Sequence, residues 1–190
     1  MLPPSSWHMT IFDGVCDLVR PSAGGVWPAD LPADVSLSEC TAHFAAKLSS
    51  PSFSLRPEEQ PPYKMRVVGF KPLGTAIMVR VEEGEKGEGV GLRGLRDRLA
   101  EKLGVRRPGH EGYVLHVSLG YLLRWLSEEE EGAVMGLLME HFGRWGEDGV
   151  MGKGREFELG RGEFCRFEDM MAFERLCYLG EGEEGRKGVD

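Results

Sequence analysis

Two stretches of the chain repeat one pattern of chemistry-bearing residues: His8-Met9-Thr10 within SSWHMTIF, and His116-Val117-Ser118 within VLHVSLG. Each places an imidazole and a hydroxyl two positions apart, and in a strand residues i and i+2 project from one face about 6.5–7 Å apart. Two such strands, side by side or facing across a cleft, would gather two imidazoles and two hydroxyls around a volume of phosphate size. That set suffices for phosphodiester cleavage without a metal. One neutral imidazole takes the proton of an attacking water or ribose hydroxyl, while the other, protonated, donates to the departing oxygen. Histidine suits both roles because its unperturbed pKa lies near neutrality. The Thr10 and Ser118 hydroxyls can donate to non-bridging oxygens, orienting the phosphorus and stabilising charge that builds in the transition state. His8 and His116 are thus the candidate catalytic pair, and Thr10 and Ser118 the candidate substrate-binding pair. Counting alone leaves coincidence open, since the chain holds five histidines and hydroxyl residues are common.

The elements that must carry these triplets follow from periodicity. Residues 7–12 alternate, with Trp7, Met9 and Ile11 on one face and His8, Thr10 and Phe12 on the other, as a strand requires. After a loop rich in proline and glycine, Ser36 and Glu39 make a capping box for a helix with Leu37, Cys40, Phe44 and Leu48 at helical spacing, ending near Ser49. YKMRVVGF and TAIMVRV, joined by KPLG, predict a hairpin. Leu92, Leu95, Leu99 and Leu103 stripe a second helix that Gly104 can end in a left-handed conformation. The second triplet's strand, 113–120, comes next. Ser127 and Glu130 cap a third helix bearing Val134, Leu137, Leu138, Phe142 and Trp145, with four glutamates suited to its dipole. REFELGRGEFCRF reads as two short strands about a glycine turn and MMAFERLCYL as a last strand. The order is α+β, with one domain over 1–179 and a disordered Gly/Glu-rich tail over 180–190.

Composition narrows the function classes. At 190 residues, 41% hydrophobic and 28% charged, the chain can bury a full core without staples. Its four cysteines lack metal or disulfide spacing and read as reduced thiols of an intracellular protein, cytoplasmic or nuclear. No signal peptide and no membrane-length apolar run occurs in the sequence. The net charge is −8, but the acids of 82–88, Glu128–Glu131 and 180–190 more than account for it, leaving the remainder slightly positive. Global acidity therefore argues against a broad groove for long nucleic acid and says little about a small anionic ligand. No nucleotide-binding glycine loop and no metal-ligand cluster is present, so no cofactor is expected.

The remaining candidates carry blander readings. His141 falls on the apolar face of the third helix and reads as a packed or boundary histidine, while His43 and His110 have no hydroxyl two positions on. Phe12, Trp27 and Tyr63 could stack on a base, and Arg66 and Arg80 could face a phosphate, although packing and solvent exposure are their default roles.

HMTI and HVSL resemble the paired histidine-x-hydroxyl-apolar motifs of the 2H phosphoesterase superfamily, which includes LigT-like RNA 2′,3′-cyclic phosphodiesterases. The wider phrases LPPSSWHMTIFDGVCD, LRGLRDRLAEKLG and HVSLGYLLRWL resemble an uncharacterised, domain-of-unknown-function branch of it, closely over residues 2–126 and loosely beyond. The resemblance implies a bilobal α+β fold, with two antiparallel sheets flanking a central cleft, helices outside, and each lobe carrying one motif. It also implies a strand and a helix ahead of the first motif, whereas seven residues precede His8 here. A sheet edge left bare would invite self-association or lower stability. The activity expected is a metal-independent phosphodiesterase hydrolysing a cyclic phosphate, on a 2′,3′-cyclic nucleotide or an RNA end. The competing reading is a non-catalytic module that binds a nucleotide or RNA end in the same cleft; the expected partner is in both cases a small nucleotide or RNA end rather than a membrane.

Overall fold

In the computed structural model of the protein, residues 1–16, 20, 25–84, 89–145 and 156–180 are described. The tail expected to be disordered lies, apart from Gly180, outside them. β1 (Tyr63–Phe70) and β2 (Ala76–Glu83) form the expected hairpin. β3 (His116–Tyr121) joins β2 and β4 (Glu156–Leu159) joins β1, giving an antiparallel sheet ordered β3-β2-β1-β4. β5 (Glu163–Arg166) and β6 (Glu174–Tyr178) make a second, two-stranded antiparallel sheet. Two mixed-in antiparallel sheets with helices are the α+β architecture expected. The short strands read from REFELGRGEFCRF exist, but they belong to different sheets: β4 finds its partner in β1 and β5 in β6, so the glycines between them bridge the two sheets.

One face of the larger sheet is apolar. Tyr63, Met65 and Val81 are buried there, and Val67, Val79, Leu115, Val117, Phe157 and Leu159 pack against the same core. Two helices cover it. α1 (Leu37–Leu48) inserts Cys40, Phe44 and Leu48, spaced one turn apart, and begins at a capping box in which Ser36 Oγ accepts from Glu39 N–H while Glu39 accepts from Ser36 N–H. α2 (Gly89–Leu103) inserts Leu92, Leu95, Leu99 and Leu103 and ends at Gly104, whose φ of +68° is the left-handed stop its residue type permits. α3 (Glu128–Trp145) begins at the Ser127–Glu130 box and sets Phe142 edge-on to Phe70 of β1, with ring centroids 6.2 Å apart. His141 on this helix is exposed, not packed, because the helix turns only its Val134, Leu138 and Phe142 side inward and leaves Leu137 outside. Among the described residues, no helix is long and apolar enough to cross a membrane.

The chain ahead of the first motif is short but structured. Leu2 N–H donates to Leu119 O (2.9 Å), Pro4–Ser6 form a single 3₁₀ turn, and Met9 then makes an antiparallel bridge to Val117. This segment covers the outer edge of β3. The expected strand over 7–12 is thereby reduced to one bridge, and Trp7, expected on the apolar face, is 44% exposed.

Two glycines of α2 separate local propensity from tertiary constraint. A Cβ on Gly91 would lie 2.1 Å from the Glu58 carbonyl oxygen, whereas one on Gly94 would meet nothing within 4 Å. Alanine is favoured over glycine in a helix by about 1 kcal/mol. Gly94→Ala should therefore raise the denaturant midpoint, and Gly91→Ala should lower it, because backbone must move to admit the methyl group. Equal stabilisation by both substitutions, in paired urea titrations, would show that α2 does not pack on the 57–59 turn as described.

Candidate active site

The Met9–Val117 bridge fixes how the two triplets meet. In antiparallel pairing, residues symmetrically placed about a bridge oppose each other, so His8 stands opposite Ser118 and Thr10 opposite His116. Met9 and Val117 turn into the core, and the four polar residues share the opposite face. Directly opposed Cβ atoms lie about 4.5–5.5 Å apart, close enough for one phosphate to touch all four side chains. The structure thus brings together the four residues that spacing singled out. It does so on one sheet edge, and not with one motif on each lobe's sheet: the small β5–β6 sheet carries neither triplet, and Phe173, just ahead of β6, packs on the His8 ring.

Both imidazoles are anchored by the same device. His8 Nδ1–H donates to Ser6 O and His116 Nδ1–H donates to Val114 O, each 2.8 Å away and each two residues upstream. Bonding Nδ1–H to a carbonyl leaves Nε2 as the nitrogen that can accept or deliver a proton. The Thr10 and Ser118 hydroxyls have no hydrogen-bond partner among the described residues, so their donor capacity is unspent.

Around this set lies a layer that periodicity did not reveal. Arg96 of α2, 4% exposed, donates through Nη1 to Ile11 O (2.6 Å) and lies 3.5 Å from Asp13. Its guanidinium carbon sits 3.8 Å above the Tyr113 ring. Tyr113 in turn donates its hydroxyl to Thr10 O (3.0 Å) and sets its ring 5.7 Å from that of His116. One helix thereby grips the first motif's backbone and the approach to the second. Burial pushes the Tyr113 phenol up, so it stays a neutral donor. Phe173 packs on the His8 ring at 4.1 Å and on the 53%-exposed Phe167 at 5.0 Å. Arg96 did leave a trace in the sequence: it stands one turn after Leu92, inside the leucine stripe, where a charge must be buried with partners. Phe173 left none, because its neighbour is 165 positions away in the chain.

The other candidates take structural places. Phe12 does not share the His8 face; beyond the bridge the chain turns and Phe12 packs on the core, 5.8 Å from the Arg96 guanidinium. Trp27 is buried with Nε1–H on Pro32 O, and Tyr63 is buried with its hydroxyl on Glu59 O. Arg66 and Arg80 lie on the polar face of the sheet and both face Glu82. His110 is buried against Asp97, and His43 pairs with Asp30. A cavity of about 460 Å³ is lined by Leu92, Arg93 and Arg96 of α2, the end of β2 and Tyr113, and by none of the four motif residues, of which Ser118 is buried and the other three are half-buried.

Residues 1–76 match the family model described as 2H-phosphodiest, a domain of unknown function (DUF1868). Over that segment the chain is similar to the 2H phosphoesterase superfamily. The first triplet lies inside the matched segment and the second outside it. In structure the chain is similar to a conserved protein of unknown function from Agrobacterium tumefaciens str. C58, with 27% identity and a TM-score of 0.71 over 93% of this chain and 69% of the other. No curated protein matches the chain.

The two histidines differ in environment. Burial pushes the His116 pKa below its ordinary value, and the charges of Lys71 and His8 act in the same direction, against the Val114 hydrogen bond and Asp13. His116 should therefore titrate below 6.5 in NMR spectra of the imidazole protons. Because the unfolded chain then binds its proton more readily, His116 contributes stability above pH 6.5 that is lost as pH falls through the unfolded value toward the lower folded one. A His116 midpoint above 6.5 would contradict the burial described.

Proposed function

We propose that the protein hydrolyses a cyclic phosphodiester, on a 2′,3′-cyclic nucleotide or an RNA end, by two-histidine acid–base catalysis without a metal. The observation that carries this reading is the register at Met9–Val117, which sets two imidazoles and two unspent hydroxyls on one face of a single strand pair. His116, kept neutral by burial, is the base: its Nε2 takes a proton from the attacking water as the oxygen bonds to phosphorus. The bond from phosphorus to the leaving ribose oxygen breaks in line, and His8 Nε2–H delivers a proton to that oxygen. Thr10 and Ser118 donate to the non-bridging oxygens, in bonds that strengthen as negative charge accumulates there. The Nδ1–H anchors hold both rings while Nε2 changes protonation.

Assays on a panel of cyclic phosphates test the reading. His8→Ala and His116→Ala should each cost on the order of 10²–10⁴ in rate. The double variant should lose far less than the product, because both groups act in one transition state. Thr10→Ala and Ser118→Ala should slow turnover less. The rate should rise and then fall with pH, the two limbs belonging to the pair and the optimum lying near or slightly below neutrality. Turnover that survives removal of both histidines would end the proposal.

Metal independence has its own check. Incubation with EDTA followed by gel filtration should leave the rate unchanged. Loss of activity that returns specifically with zinc or manganese would overturn that part of the reading.

A further inference from the structure

The polar face that carries the four motif residues continues across β2 to the end of β1, and there it holds a cation with no assigned task. The register places it. Met78 pairs with Ser118, and Lys71 N–H donates to Met78 O (3.0 Å), so Lys71, Met78, Ser118 and His8 form one row across four neighbouring backbones. The row exists because β1 carries a bulge. Its pairing with β2 shifts between Val67 and Gly69, and Gly69, at φ +138°, takes up the irregularity. Without the extra residue, Phe70 would turn to the polar face and Lys71 to the core. With it, Phe70 opposes the core residue Val79 and Lys71 follows on the polar side.

Lys71 has no hydrogen-bond or ion-pair partner among the described residues, although it is half-buried. The nearby arginines of this face differ, since Arg66 and Arg80 are engaged by Glu82. Two strand spacings of about 4.8 Å separate Lys71 from Ser118, a gap that the lysine's four-carbon stem largely spans. The charge is also felt at the site, where it helps hold His116 neutral.

We propose that Lys71 is a phosphate-binding residue of this site, meeting a non-bridging oxygen of the substrate from the Ser118 side. It rests on the phosphodiesterase reading and adds a cation to it. Thr10 and Ser118 are neutral donors, and the one cation the proposed reaction puts at the phosphate, protonated His8, gives up its proton during turnover, whereas an ammonium keeps its charge throughout. An ammonium forms a charge-assisted hydrogen bond, about twice as strong as a neutral one. It also sets a preference for anionic phosphodiesters over uncharged esters. Lysine rather than arginine fits a position reached by an extended stem from a strand end, as a point charge with three rotatable donors.

Binding and titration test this without turnover. Adenosine 2′-monophosphate, with adenosine as the uncharged control, is titrated into the folded protein while the His116 ring protons are followed. Lys71→Met and Lys71→Gln should weaken nucleotide binding on the order of tenfold, the loss expected for one charge-assisted hydrogen bond. Both should leave adenosine binding unchanged and raise the His116 midpoint, with His8, Asp13, Tyr113 and Arg80 still facing that ring. Lys71→Arg should keep most of both effects. Equal nucleotide affinity in wild type and both neutral variants, an unmoved His116 midpoint, or no nucleotide binding by the wild type would overturn the inference. A protein that binds the nucleotide in a Lys71-dependent way yet hydrolyses no cyclic phosphate would keep the anion site and lose the proposed reaction.

Discussion

The two motif segments touch backbone to backbone at Met9 and Val117, and the chemistry of the site depends on that register. Side chains alternate along a strand with period two, so a slip of one residue would send His8 and Thr10 into the core and Met9 out to solvent. The penalty is what makes the register specific. Met9, Ile11, Val117 and Leu115 all pack against the core cluster, and each would have to give up apolar burial to permit the slip. A pairing this short cannot rely on ladder hydrogen bonds, since it has one bridge where an ordinary strand pair has several.

The surrounding layer supplies what the ladder lacks. The Arg96 guanidinium is buried, and burying a charge is costly unless it is paired and hydrogen-bonded. Its partners are the Ile11 carbonyl, the Asp13 carboxylate and the Tyr113 ring, two of them from the segment just after the first motif. Displacing that segment would strand the guanidinium. Tyr113 does the same for the second motif, with its hydroxyl on the Thr10 carbonyl and its ring beside His116. Placement of the motif thus becomes a condition for keeping the terminal nitrogens of a buried cation paired, which is a stiffer constraint than one β-bridge.

Much of the fold was legible in the residues because it rests on local rules. The capping boxes at Ser36 and Ser127, the leucine stripe of α2, its glycine stop and the β1–β2 hairpin all depend on neighbours within a few positions. The four motif residues were legible for the same reason: a spacing of two is a statement about one face of a strand. What spacing could not give was which strands become neighbours. REFEL and GEFCR sit side by side in sequence yet join different sheets, and both triplets meet on one sheet rather than one on each. The Nδ1 anchors on Ser6 and Val114 and the Phe173 stack arise from backbone path and long-range packing, which leave no periodic signature. Arg96 was legible in part, as a charge inside an apolar stripe.

Two triplets that read alike are made unequal by where they lie. His116 enters a four-stranded sheet, half-buried beside the Tyr113 ring, and burial costs its cationic form more than the neutral one. His8 lies where the chain has left its 3₁₀ turn and touches β3 only through the next residue, with Phe173 against one side of its ring. Acid–base catalysis by a pair needs such inequality, because two imidazoles in identical surroundings would tend to hold the same protonation state. The repeated motif therefore supplies the groups, and the asymmetry of the fold around it supplies the difference between them. The difference in burial between the sheet strand and the looser segment is then a consequence of topology, not of the triplets themselves.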